Sequence, residues 1–319
     1  MLESYGPHTP PVLTRSRVAL EIASELAGAD GWPYLRAHVD LRQSDFDETG
    51  FRLIGSGSPD GITDVGEGRA GLAMINPSAV LTMGYRGTGP FDSPLPVRVV
   101  SVLPSYDQIT LGVMERTGLR SFDDVREQRY PLRVSLRGPR ENSVPLVANE
   151  ICKAHGFTLE DIESWGGEVT YNRRLPGARL PDVEKGETDA IFDEAVRQWV
   201  NPGAAMGMRF LEPSEGALAR LEPLGLRRGV VLRSDFPELQ ADFRAVDFSG
   251  FPIFTNEAVP DEQVHALCAA LEARSDRIPW EGTGPLPLDR MCADTREGPL
   301  DVPLHPAAAA YWHDRGYLC

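Results

Sequence analysis

Apolar residues recur at helical spacing over residues 16–27 (SRVALEIASELA), where Val18, Ala19, Ile22, Ala23 and Leu26 share one face. The spacing predicts a helix there. Residues 28–50 are polar, contain Trp32 and Pro33, and read mostly as connection. FRLIG (51–55) and GLAMI (71–75) are short apolar runs bounded by turn residues, the pattern of buried strands. A helix between them reaches about Gly68, weakened by Gly66 and Gly68. The stretch 84–96 is rich in Gly and Pro and reads as loop. VRVVSVL (97–103) and ITLGVM (109–114) predict two strands joined by residues 104–108. SFDDV (121–125) opens a short helix with Ser121 as its cap, and LRVSL (132–136) is a strand. Val144, Val147, Ala148, Ile151, Cys152 and His155 then keep helical spacing until Gly156.

LEDIESW (159–165) leads into a Gly-Gly turn, and residues 171–181 (YNRRLPGARLP) read as a basic loop. Residues 182–200 read as helix, strand and helix. RFLEP (209–213), RGVVL (228–232) and GFPIF (250–254) are later strands. Helices cover 214–222 and 260–274, the second with Val264, Leu267, Cys268 and Leu271 on one face. After Pro303-Leu304-His305-Pro306, an Ala-rich helix runs through Trp312. Strands alternating with helices imply an α/β fold with mostly parallel sheets. Ligands in such sheets sit beyond the carboxyl ends of strands, which selects the loops 55–61, 76–79, 137–143 and 193–197.

A chain of 319 residues is about twice a typical domain, so two lobes are expected. With 32 Lys and Arg against 47 Asp and Glu, the net charge is −15, which disfavours nucleic acid and anionic membranes as partners. No run approaches the ~18 apolar residues of a membrane span, so direct membrane insertion is not expected. The first residues lack a basic stretch followed by an apolar one, which reads as cytoplasmic for the chain as written. The cysteines at 152, 268, 292 and 319 form no CxxC pair, and no His pair has metal spacing; neither a metal nor a cofactor is expected. Cys152 and Cys268 fall on apolar stripes and read as core.

Candidate site residues lie in the four selected loops and at the connection after residue 103. Ser56, Gly57 and Ser58 precede a helix, so their N–H groups and hydroxyls suit a polar or anionic group, or simply form a turn. Asn76 ends a strand and can donate and accept across a cleft. Arg137, Arg140, Asn142 and Ser143 precede another helix; a guanidinium beside helix N–H groups suits a carboxylate or phosphate. Pairing of such an Arg with Glu141 is the plainer alternative. Asp193 and Glu194 can meet an amine or a cation, do acid/base work, or serve as first-turn acids of the helix that follows. Tyr106 stacks on a ligand or wedges the lobes apart. Arg173, Arg174 and Arg179 read as a solvated basic loop, and Trp199 as core. No Ser/His/Asp or Cys/His order marks a catalytic nucleophile.

Six segments resemble the TAXI group of TRAP-transporter solute receptors, which have the type-2 periplasmic-binding-protein fold. They are Gly55-Ser56-Gly57-Ser58, residues 68–73 (GRAGLA), 117–125 (TGLRSFDDV), 132–138 (LRVSLRG), 185–192 (KGETDAIF) and 303–308 (PLHPAA). The likeness covers about residues 51–319. Two stretches depart from the family. Residues 5–11 (YGPHTPP) stand where a hydrophobic strand and a Gly-rich loop are usual, and 137–143 (RGPRENS) replaces a Gly-Ser-Gly-Thr loop.

The resemblance implies a two-lobe α/β fold with a hinge and an interlobe cleft. Lobe 1 would comprise 1–103 and 252–319, and lobe 2 would comprise 104–251. It implies a small-molecule binding protein for an anionic organic solute, a carboxylate or an amino-acid-like ligand, with TRAP membrane subunits as partners. It also implies a periplasmic location for a chain preceded by a leader. The alternative is a cytoplasmic enzyme on the same scaffold acting on an aromatic or carboxylic acid, as a decarboxylase does. A cytoplasmic sensor of the same ligand is a third reading.

Overall fold

The computed structural model describes residues 15–28, 36–42 and 50–318. The expectations for residues 5–11, for Trp32 and Pro33 and for Cys319 lie outside these. Residues 1–37 and 38–319 form two compact units. The first contains α1 (Arg15–Ala27), the helix that the apolar spacing predicts.

In the second unit the chain builds β1 (Arg36–Arg42, begun in the first unit), β2 (Gly50–Ser56), α2 (Asp60–Gly66), β3 (Leu72–Met74), α3 (Ser78–Arg86) and β4 (Val97–Leu103). It crosses to a second sheet through residues 104–107. There it forms β5 (Gln108–Met114), α4 (Phe122–Glu127), β6 (Arg133–Arg137), α5 (Ser143–Ala154), α6 (Leu159–Ser164) and β7 (Glu168–Asn172). A 3-10 turn (Pro176–Arg179) leads to α7 (Leu180–Glu184), β8 (Ala190–Asp193), α8 (Val196–Ala205), β9 (Met208–Leu211), α9 (Glu215–Leu221), β10 (Arg228–Val231) and β11 (Phe243–Asp247). Residues 248–250 cross back into β12 (Phe251–Asn256), α10 (Asp261–Ala273), α11 (Leu288–Met291) and α12 (Pro306–Asp314).

The first sheet has the order β1-β2-β3-β12-β4, and the second β10-β11-β5-β8-β6-β7 with β9 beside β5. The architecture is thus α/β with two sheet-containing lobes. Pairing is mixed, which corrects the expectation of mostly parallel sheets. β2–β3, β6–β7 and β6–β8 are parallel, whereas β12 runs against β3 and β4, and β5 against β8, β9 and β11. Parallel neighbours need a long crossover, usually a helix. The strands that enter or leave through the short crossings, β5, β11 and β12, have none and pair antiparallel.

Helices cover both faces of each sheet. On the first, Ile62, Val65, Val80, Leu81 and Met83 of α2 and α3 pack on one face, and Val264, Cys268 and Trp312 of α10 and α12 on the other. The Trp312 indole also donates to Val100 O at 2.8 Å. On the second, α5 buries Val144, Val147, Ala148, Ile151 and Cys152, the stripe read from spacing. Trp199 of α8 is fully buried on the opposite face, a core residue as expected. Ser121 caps α4 in a capping box with Asp124. His155 is spent structurally: Nδ1 meets Ile151 O at 2.8 Å, Nε2 accepts from Ser214 N at 3.2 Å, and the ring stacks on Phe122.

The crossings lie side by side. Phe248 N donates to Asp107 O (2.9 Å), Ser249 Oγ to Asp107 O (3.1 Å), and Gly250 N to Ser105 Oγ (2.9 Å). Gly250 has φ +84°, and a Cβ there would lie 2.4 Å from Ser78 Oγ, so this crossing needs a glycine.

Candidate functional site

Strands β7, β6 and β8 are parallel neighbours, so their carboxyl ends, Asn172, Arg137 and Asp193, open on one side of the second sheet. This is where α/β sheets hold ligands. Asp193 lies opposite Thr110 on β5, which brings the crossing residues Tyr106 and Asp107 to the same edge. The chain leaves β6 through Gly138 at φ +82°, where a Cβ would meet Asn142 at 2.7 Å. This tight turn sets Asn142 as the cap of α5, its Oδ1 accepting from Val144 N at 3.2 Å.

At this edge four charged side chains form a buried lattice. Arg179 pairs with Asp193 and donates to Ser135 Oγ at 2.9 Å; its side chain is 1% exposed and that of Asp193 is fully buried. Arg137 pairs with Glu194, and its Nε lies 3.7 Å from Asp193 Oδ1. Only Arg137 reaches solvent, at 21% exposure. Burial, then the positive charges of Arg137 and Arg174, push the Arg179 guanidinium down; Asp193 against it keeps it charged. Arg179 Nε and Asp193 Oδ1 are buried without a hydrogen-bond partner. Ala195, next along the chain, sits at φ +54°, a left-handed conformation that is costly for a residue other than glycine.

A second set of charges faces Arg137 from the crossing. Asp107 is buried, and its carboxyl faces the Ala195 N–H, Arg137, Arg197 and Glu281. Burial first, and then the like charge of Glu281, push Asp107 up to about 7. Glu281, from the segment after α10, is also raised by burial, against the pull of Arg197, the Tyr106 N–H and Arg137. The folded protein therefore holds a proton on Asp107 that the unfolded chain releases near pH 4. That contribution to stability is whole below about pH 4 and is lost as pH rises through about 7. Urea midpoints should fall between pH 5 and pH 8, and fall less in Asp107→Asn. Equal falls in both proteins would mean that Asp107 does not hold the proton.

The predicted residues divide. Arg137, Asp193 and Tyr106 gather at this edge. Tyr106 donates its hydroxyl to Val230 O at 2.8 Å, with Arg296 over its ring at 4.8 Å and Arg197 at 5.6 Å. Gly57, Asn142 and Ser143 meet across the two lobes: Ser143 N and Oγ both donate to Gly57 O at 3.0 Å. A Cβ on Gly57 would come within 2.6 Å of Asn142 Nδ2. Ser56 Oγ accepts from Ser58 N, closing the turn on itself. Asn76 spends its amide on the returning crossing, donating to Phe248 O (3.2 Å) and Gly250 O (3.1 Å). Arg140 lies elsewhere, 54% exposed, over the Tyr171 ring at 4.9 Å and near Glu160 and Glu163.

Of the three arginines read as a solvated basic loop, Arg173 and Arg174 are exposed, whereas Arg179 is buried and corrects that reading. Glu281 and Asp107 were not singled out in the sequence. Asp107 had a signal, being the acid in the predicted connection between lobes; Glu281, in a Gly- and Pro-rich stretch, had none. Among the described residues no cluster of three or more His, Cys, Asp or Glu is arranged to hold a metal ion, and no helix is long and apolar enough to cross a membrane.

No family model matches the chain, and no curated protein is similar enough to match. Solved structures give distant likenesses. The alkanesulfonate-binding protein SsuA from Xanthomonas axonopodis pv. citri, bound to MOPS, is 13% identical with a TM-score of 0.33 over 68% of this chain and 61% of that one. An ancestral arginine-binding protein bound to arginine is 12% identical, with a TM-score of 0.30 over 69% and 72%. A periplasmic transporter structure is 16% identical, with a TM-score of 0.32 over 65% and 64%. The likeness spans less than two thirds of the first of these proteins. The two-sheet architecture stands on the strand pairings themselves.

Proposed function

We propose that the protein binds a small organic anion, a carboxylate or an amino-acid-like solute, in the cleft between its lobes. In this reading it is the solute-binding subunit of a TRAP transporter of the TAXI group, with the membrane subunits as partners. The observation that carries the binding reading is Arg137: a guanidinium at the carboxyl end of a parallel strand, and the solvent-reaching member of a buried charge lattice. Arginine binds carboxylates in bidentate fashion, and its fork is positioned here by Glu194 and Asp193. Lobe 1 is taken as residues 1–103 and 252–319 and lobe 2 as 104–251, with the paired crossings as the hinge. The strands of the two sheets divide close to those boundaries, with Phe251, the first residue of β12, just inside the second, which supports the division.

The test is titration calorimetry against succinate, benzoate, L-glutamate, L-arginine and inorganic phosphate. The reading expects saturable binding of at least one carboxylate. A folded protein that binds none of the panel contradicts it.

A second reading is favoured by Asp107, a buried carboxyl poised near neutral pH against Glu281. Such a group suits proton transfer, so an enzyme acting on a carboxylic acid is the alternative. It expects decarboxylation or isomerisation of an added acid, lost in Asp107→Asn. Turnover that survives Asp107→Asn would remove this residue from the chemistry.

A further inference from the structure

The charge lattice has no spare cation for an incoming anion. Arg179 is committed to Asp193 and Ser135. Arg137 touches Glu194, which is 2% exposed and has no other ion-pair partner among the described residues. A ligand carboxylate that takes the Arg137 fork therefore competes with Glu194. A buried carboxylate stripped of its cation does not stay charged; it takes a proton instead. Resting on the ligand-binding reading above, we infer that Glu194 is the resident counter-ion of Arg137, and that an anion seated on Arg137 is bound together with one proton, which Glu194 takes from solvent.

The charges balance: one anion and one proton enter, Glu194 passes from carboxylate to carboxylic acid, and Arg137 exchanges one anionic partner for another. The surroundings single out Glu194. Asp193, before it on β8, keeps Arg179 whatever Arg137 does. From α8, Arg197 faces Asp107 and Glu281. From the crossing, Asp107 has the Ala195 N–H as well as Arg137. Glu281, from the segment after α10, has Arg197 and the Tyr106 N–H as well as Arg137. Glu194 alone loses its whole partner when Arg137 turns to a ligand.

The experiment is calorimetry of the full chain at pH 7.5 in triethanolamine, imidazole and Tris, whose ionisation heats differ, with succinate, benzoate and L-glutamate as probes. The slope of observed heat against buffer ionisation heat counts protons. One proton taken up per anion is expected, with affinity weakening about tenfold per pH unit from 7 to 8.5. In Glu194→Gln the uptake and the pH dependence disappear, whatever affinity the variant keeps. Binding of a probe by the wild-type chain without uptake overturns the inference and leaves the binding reading intact. So does uptake that survives Glu194→Gln, or that is abolished by Asp107→Asn instead. If Glu194→Gln does not fold, the wild-type proton count alone decides. If no probe binds, the binding reading falls and this inference falls with it.

Discussion

Arg179→Met lowers stability by about 3–5 kcal/mol, because it removes the close partner of a fully buried Asp193 and leaves it only Arg137, at 3.7 Å. The pair is not a surface ion pair of small value; one side chain is 1% exposed and the other not exposed at all. Arg179 also fixes the 3-10 turn against β6 through Ser135, so its loss loosens the wall behind Arg137. Adding Asp193→Asn to Arg179→Met should restore a substantial part of the loss, since the buried charge is then gone. Urea unfolding of the single and double variants measures both. A single-variant loss under about 1 kcal/mol would show that the pair is open to water and that the lattice is not buried.

The second large effect concerns binding. Arg137→Met should weaken the bound organic anion at least ~100-fold, the value of about two charge-assisted hydrogen bonds. The same change strands Glu194, so its folding cost must be separated from its binding cost. Arg137→Met with Glu194→Gln removes both charges at once and should fold nearly as well as the parent while still failing to bind. Arg140→Ala, by contrast, should leave binding unchanged, because its guanidinium stacks on Tyr171 beside Glu160 and Glu163 and not in the pairing of Arg137 with Asp193 and Glu194. Equal affinities in the parent and the Arg137 double variant would place the ligand elsewhere.

Much of this was legible in the chain. The apolar stripe of α5, the Ser121 cap, the strands on either side of the crossing and the amphipathic α10 all follow from local spacing, and the structure keeps them. β1 was missed although Ala37, Val39 and Leu41 alternate with charged and polar residues, the period-two signal of a strand. α3 was hidden because its end at Gly84 and Arg86 runs into a Gly- and Pro-rich loop. β7 and β11 are short strands with charged and polar members, held by their neighbours more than by their own pattern.

The site was half legible for a similar reason. Arg137 and Asp193 sit at strand ends, where the rule for α/β sheets points. Arg140 was grouped with Arg137 by proximity in sequence, yet the turn at Gly138 and Pro139 sends the two side chains in different directions. Arg179 and Glu281 come to the edge only through tertiary packing from a basic loop and a Gly-rich tail, and no local pattern announces that. Asn76 has the chemistry of a cleft residue, but the returning crossing uses both of its amide hydrogens.

The most direct test of the account is to release what the purified protein carries. The full chain is isolated from its native source under mild conditions, denatured, and the small molecules are identified by mass spectrometry, in parallel with the Arg137→Met, Glu194→Gln double variant. The account predicts a carboxylate or amino-acid-like anion in near-stoichiometric amount with the parent and none with the variant. The same anion carried equally by both would contradict a ligand site built on Arg137.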